Sequence, residues 1–269
     1  MNTLLVLLPD FAIVALGALL APLLPPDGWR ALDRLSYHVL YPALLFGAAA
    51  SRPIAPGALL AIGGLACAIV TLGFVAVAAL PPGASGVLAI SVGLGIPLAN
   101  LYAVGLLARG RALSRLSVLR EIALNPFLLA SLGGVLFGLG GLSLPAPVAG
   151  FVARLADAAL PVVLLSLGAA LRGARVWPPT RFALALHAVR LLVLPGTVWA
   201  IAQLTRSHGL VPATLLVFAA LPTATAAHVL AARYGAERGG VALLVMQSSL
   251  FGLVTLPLWS LLAVRLAVP

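Results

Sequence analysis

The run Leu221-Pro222-Thr223-Ala224-Thr225 interrupts a long apolar stretch with residue types that can hold backbone outside a helix. Pro222 has no N–H and frees a carbonyl one turn back. The hydroxyls of Thr223 and Thr225 can satisfy groups exposed by such a break. A broken helix at membrane depth presents an N-terminal dipole end to a carboxylate and freed carbonyls to a cation. The alternative is a packing kink. His228 follows three residues past Thr225, on roughly the same helix face. It could sense protonation, bind an anion, or hydrogen-bond a neighbouring helix. Gln247, Ser248 and Ser249 place polar side chains inside a second apolar run, where they line a cavity or join helices. Asn100, three residues after Pro97, offers the same choice of cavity lining or packing.

Ionisable residues inside apolar runs are functional candidates by default. Asp10 and Asp157 each lie a few residues into such a run, from where they can also snorkel to an interface. Arg190, with His187 close by on the same run, could neutralise an anion or pair with Asp157. An enzyme is the weakest reading. Gly83-Ala84-Ser85-Gly86 resembles the nucleophile motif of rhomboid intramembrane proteases, with His187 or His228 as the base that a serine needs. Small residues match cheaply in a chain with 27 Gly, and the supporting His-and-Asn helix is absent. No acidic pair for prenyl diphosphate chemistry and no His/Glu pair at metal-ligand spacing is present. One cysteine, Cys67, excludes an intramolecular disulfide and argues against a Cys-based metal cluster. No cofactor or metal is expected.

The elements that must position these residues follow from composition. Of 269 residues, 62% are hydrophobic and 8% charged. A soluble domain carries roughly 45–50% apolar and about 25% charged residues. The net charge of +10 is carried by arginines in short gaps between apolar runs, so no basic surface for nucleic acid exists. Spanning helices need about 20 apolar residues. Nine segments qualify: 4–24, 35–51, 57–80, 85–108, 122–141, 151–171, 181–204, 211–232 and 240–265. The fold expected is an all-α membrane protein, a polytopic helical bundle.

The chain repeats itself. Arg34-Leu35 recurs as Arg154-Leu155, Arg52 as Arg172, and Pro42 nearly in register as Pro161. The pattern Pro-Leu-x-x-Leu-x-Ala-Val-x-Leu occurs at 97–106 and again at 257–266. The offset grows between the two matches by about one helix with its loops, which leaves 211–232 without a partner. The organisation expected is two inverted repeats of four and five helices, 1–108 and 122–269, with the first-half crossover helix missing. The Arg-rich gaps 109–120, 172–181 and 233–238 alternate with Arg-poor ones, which puts them in the cytoplasm and the C-terminus outside. The same count puts the 25–34 gap outside, against its Arg30 and Arg34. Gly134-x-x-x-Gly138 is read as packing.

Leu8-Pro9-Asp10-Phe11, the stretch from Leu35 to Phe46, Ile96-Pro97-Leu98-Ala99-Asn100, Asn125-Pro126-Phe127 and the run from Leu221 to Ala231 resemble bacterial permeases of the auxin efflux carrier family. The resemblance implies ten helices in two inverted five-helix repeats, similar to the bile acid sodium symporter fold. It implies broken fourth and ninth helices that cross at mid-membrane, where substrate binds. Members move small organic anions: auxin in plants, malate, malonate and similar acids in bacteria. On this resemblance 211–232 matches the ninth helix, 85–108 matches the fifth, and Asn100 matches an Asn of the family. The expected function is secondary transport of a mono- or dicarboxylate by alternating access in the inner cell membrane, with Na⁺ or H⁺ as coupling ion. The site expected is Pro222, Thr223, Ala224, Thr225, His228, Gln247, Ser248, Asn100 and Pro97, with Asp157 and Arg190 as charge partners. The alternative is a non-transporting member that lacks one crossover helix, whose gap is filled by the Pro97 helix, by water or by a second protomer in a homodimer.

Overall fold

A computed structural model of the chain describes residues 3–50, 115–233 and 237–267. Among the described residues there are helices and connecting turns and no strand. Helix α1 is Thr3–Leu20, extended by a 3₁₀ turn, Ala21–Leu23. Helix α2 covers 26–50 and α3 is Arg115–Ala123. Helices α4 and α5 are Pro126–Leu139 and Ala146–Leu171. Helix α6 is Arg181–Leu204. Helices α7 (Leu210–Ala220) and α8 (Ala226–Arg233) are two halves of one interrupted run, and α9 is Arg238–Ala267. Three of these, α5, α6 and α9, are long and apolar enough to cross a membrane; α9 rises about 45 Å at 1.5 Å per residue.

Local chemistry sets the ends. Asn125 caps α4, its Oδ1 accepting from the amides of Phe127 at 2.9 Å and Leu128 at 3.3 Å, with Pro126 in the first turn. Thr180 caps α6 through Oγ1, which accepts from the Ala183 amide at 3.1 Å. Helix α2 starts nine residues before the expected segment 35–51, because Pro26 opens it and does not extend a loop. Segment 122–141 divides into α3 and α4, and 151–171 begins earlier, at Ala146. Segments 57–80 and 85–108, with Pro97 and Asn100, lie outside the described residues.

Two prolines impose widened π turns. In α2 the turn Ser36–Leu40 precedes Pro42, and in α6 the turn Val189–Val193 precedes Pro195. A proline inside a helix leaves the carbonyl four residues back without its N–H. In α6 that carbonyl belongs to Leu191, and the Trp259 indole N–H of α9 donates to it at 2.8 Å. A missing backbone donor is thus replaced by a side chain on a neighbouring helix.

Helix α2 lies at the centre of one half of the bundle. It runs parallel to α4, with Tyr37 and Tyr41 each 5.1 Å from Phe127 and Phe46 5.7 Å from Phe137 between ring centroids. Gly134 is the crossing point of these two helices: a Cβ there would meet the Phe46 carbonyl and the Ala49 side chain. Helix α5 runs antiparallel to α2, with Gly47 beside Val152 at one end and Asp33 beside Ser166 at the other. Gly17 and Gly168 let α1 cross α5 closely, since a Cβ on either would run into the other helix's backbone. Helix α7 is buried in a cluster with Val198, Ala202 and Leu266 of α6 and α9.

These contacts correct the side expected for the 25–34 gap. Ala21 to Trp29 share a cleft with Arg172 and Arg238, so this segment lies at the same end of the bundle as the Arg-rich gaps after α5 and before α9. Ala50 lies at the other end, near Phe137 and Leu142, whereas Phe127 returns to the end of Tyr37.

Candidate functional site

The break between α7 and α8 follows from Pro222. A residue before proline is pushed out of the α region, and Leu221 is extended at φ −61° and ψ 139°. Residues 221–224 are non-helical. Pro222 fits against Gly252 of α9, where a Cβ would stand 2.5 Å from Pro222 Cγ. The Thr223 amide donates to Ser248 Oγ of α9 at 2.9 Å. Ala224 is exposed, and its carbonyl accepts from the Ala227 amide at 3.0 Å. The Thr225 hydroxyl bonds the Tyr41 hydroxyl of α2 at 2.7 Å. Ser248 of α9 therefore replaces one backbone bond lost at the break, and Tyr41 of α2 anchors the Thr225 side chain beside it.

Arg190 stands at the end of α7, where its guanidinium donates to the Ala219 carbonyl at 3.4 Å. A cation there complements the negative end of the half-helix dipole. The Asp157–Arg190 pair is not formed. Asp157 is exposed and lines a cleft of about 610 Å³ with Gly47, Phe137 and Leu142, at the bundle end away from Arg238. Gln247 does not reach the break either. Its Oε1 lies 3.3 Å from His187 Nε2 and its Nε2 donates to the Val176 carbonyl at 2.7 Å, so it ties α9 to α6 and to the loop after α5. Ser249 bonds back to the Val245 carbonyl at 3.0 Å. The structure thus gathers Pro222, Thr223, Thr225, Ser248 and Arg190 around one break. Pro97 and Asn100 lie outside the described residues.

His228 falls in a second cluster, just past the break. It is fully buried, and neither ring nitrogen has a hydrogen-bond partner among the described residues. Its Nε2 lies 3.8 Å from Asp33 Oδ1 of α2. Ser166 of α5 donates to the same oxygen at 2.5 Å. Arg238 Nη2 of α9 lies 2.8 Å from Asp33 Oδ2 and 2.9 Å from Ser166 Oγ. Four helices meet at one buried carboxylate. A cleft of about 370 Å³ reaches Asp33 from the Arg-rich end, lined also by Arg30, Arg34, Tyr37, Arg233 and Arg238.

Sequence reasoning missed Asp33, Tyr41, Ser166 and Arg238. The signal for Asp33 was present: Trp29, Asp33, Ser36, Tyr37 and Leu40 share helical spacing and form the buried stripe of α2. An acid inside such a stripe needs a partner. Tyr41 and Ser166 reach their partners across 184 and 133 residues of sequence, a distance no spacing rule covers.

Comparison with known proteins gives two matches. The sequence profile of a family described as "Membrane transport protein" matches residues 111–260. A protein of Methanothermobacter thermautotrophicus named "Uncharacterized transporter" is 31% identical over 144 residues, covering 53% of this chain. The match spans 47% of that relative, so the chain corresponds to about half its length. Both matches are to transport proteins and not to an enzyme, which removes the protease reading of Ser85.

Proposed function

The chain belongs to the membrane transport protein family, the auxin efflux carrier family that its sequence resembles, and from that premise we propose that it is a secondary transporter of a small organic anion. One observation carries the reading. Non-helical backbone at 221–224 lies between two half-helices of a hydrophobic bundle, with its Thr223 amide held by Ser248 of α9 and the adjoining Thr225 side chain held by Tyr41 of α2. Such backbone persists at membrane depth only where protein or a water-filled cavity supports it. It is also the construction in which transporters bind charged substrates.

The chemistry of the break suits a mono- or dicarboxylate. The N-terminus of α8 turns the positive end of its dipole toward the break, with the Ala227 and His228 amides held by the Ala224 and Thr225 carbonyls. Arg190 supplies a full positive charge at the end of α7. Thr223 contributes a hydroxyl donor beside its Ser248-bound amide. In this reading the anion lies between the α8 N-terminus and Arg190, and α7 and α8 rock with it against the α2–α4–α5 group. The antiparallel α2 and α5, which carry the matched Arg-Leu and proline positions, are the halves that an inverted repeat would exchange.

Counterflow in proteoliposomes tests the proposal. Vesicles loaded with unlabelled malate or malonate should accumulate the labelled acid transiently when they contain the purified protein. Vesicles with protein that take up neither these nor any other small carboxylate above protein-free controls would refute it.

A further inference from the structure

The anion site at the break leaves the Asp33 cluster unused, yet the two share moving parts. Helix α2 meets the broken helix twice: Tyr41 bonds Thr225, and Asp33 lies 3.8 Å from His228 Nε2. We propose that Asp33 and His228 form a proton-binding site, and that the proton decides whether Asp33 is held by Arg238 or by His228. The purpose assigned to this site rests on the transport reading, but its existence does not.

Three features carry the inference. First, a neutral imidazole has one donor and one acceptor nitrogen, and buried polar groups of this kind are nearly always paired. His228 is fully buried with both nitrogens unpaired among the described residues, and the group facing Nε2 is a carboxylate. The neutral Nε2–H tautomer can already face that carboxylate, and a second proton, on Nδ1, turns the 3.8 Å approach into an ion pair. Second, Asp33 divides its two oxygens between rival cations: Oδ2 faces Arg238 at 2.8 Å and Oδ1 faces His228 at 3.8 Å. Third, the cleft that ends on Asp33 gives protons a route from the Arg-rich end of the bundle.

The surrounding charges make the two partners compete. Facing the pair are Arg30, Arg34 and Tyr37 from α2, Arg233 from α8 and Arg238 from α9, while α5 contributes the neutral Ser166. Arg30 is matched by Asp27 at 2.8 Å. With Arg238 in place the cluster is already neutralised, so a charge on His228 adds an unmatched positive charge in a site of low dielectric. Protonation is therefore balanced by moving Arg238 away from Asp33. One proton enters, His228 becomes imidazolium, and Asp33 remains a carboxylate that exchanges one ion pair for another. The exchange releases the first turn of α9 from α2 and tightens α8 onto α2. Proton occupancy and the position of the broken helix become linked, which is what coupling of anion movement to protons requires.

The test reads proton binding itself. The full chain is purified in detergent with ¹⁵N-labelled imidazole rings, and the His228 resonances are assigned by their loss in His228→Gln. The ring should titrate in a single step as pH falls. In Asp33→Asn its proton affinity should drop at least tenfold, and in Arg238→Gln it should rise at least tenfold. Opposite shifts in the two variants are the signature of competition for one carboxylate. Should Asp33→Asn not fold, Arg238→Gln still decides the matter. A His228 ring that stays neutral down to the pH of unfolding, or one whose midpoint is unmoved in Arg238→Gln, overturns the proposal. Shifted midpoints in a protein that moves no carboxylate would keep the proton site and remove the transport reading.

Discussion

The Tyr41–Thr225 hydrogen bond should show measurable coupling in a double-mutant cycle. The two hydroxyls are 2.7 Å apart, Tyr41 is 3% exposed, and the bond connects α2 to the non-helical break. Tyr41→Phe removes one hydroxyl and leaves the ring packed against Phe127. Thr225→Val removes the other at nearly constant volume. Hydrogen bonds between membrane helices average about 0.6 kcal/mol in such cycles and reach about 1.7 kcal/mol. This bond should fall in the upper half of that range, about 1–1.7 kcal/mol, because the backbone around Thr225 lacks a helical ladder to fall back on. Each single variant should therefore lose about 1–2 kcal/mol, and the double variant little more than the worse single one. Reversible unfolding in mixed detergent micelles measures all four corners. Additivity within about 0.3 kcal/mol would show that the bond does not hold the break, and the account of how non-helical backbone survives there would fail with it.

Other parts of the structure give sharp expectations. Gly252→Val places side-chain atoms where Pro222 sits and should cost about 1–3 kcal/mol in stability, seen as a lower melting temperature; an unchanged melt would mean Pro222 does not pack on α9. Trp259→Phe leaves the Leu191 carbonyl without a donor and should cost about 1–3 kcal/mol, with part of the loss recovered in a Pro195→Ala background that restores the backbone N–H. In a Cys67→Ser background, cysteines at Arg30 and Arg175 should react with an impermeant thiol reagent from one side of the membrane and a cysteine at His208 from the other. Labelling of Arg30 and Arg175 positions from opposite sides would contradict the packing of α2 against α5 and α9.

Much of the helical framework was legible because apolar length and end signals coincide. Segment 181–204 matches α6 residue for residue, since Thr180 caps its start and the apolar run ends at Leu204. Asn125-Pro126 carries the signal for the start of α4, which the apolar count alone overran. The break at Pro222 was legible for the same kind of reason: proline acts on its own neighbours. What the sequence concealed was non-local. Asp33 looked like a loop charge because Pro25-Pro26-Asp27-Gly28 reads as a turn, although Pro26 opens a helix whose buried stripe contains it. Gln247 and Ser248 are adjacent in sequence, yet one serves His187 and Val176 and the other the break. Adjacent helical residues face about 100° apart, so a run of polar residues divides among neighbours that only the packed bundle reveals.

Equilibrium binding of labelled malonate to the purified protein tests the central claim most directly, that the break between α7 and α8 holds the anion. A hydrogen bond to a charged group is worth about 1.5–3 kcal/mol. Thr223→Val and Arg190→Gln should therefore each weaken binding by roughly one to two orders of magnitude while leaving the melting temperature within a few degrees of the unaltered chain. Wild-type affinity in both variants, with binding otherwise intact, would contradict the account and reduce Pro222 to a packing kink.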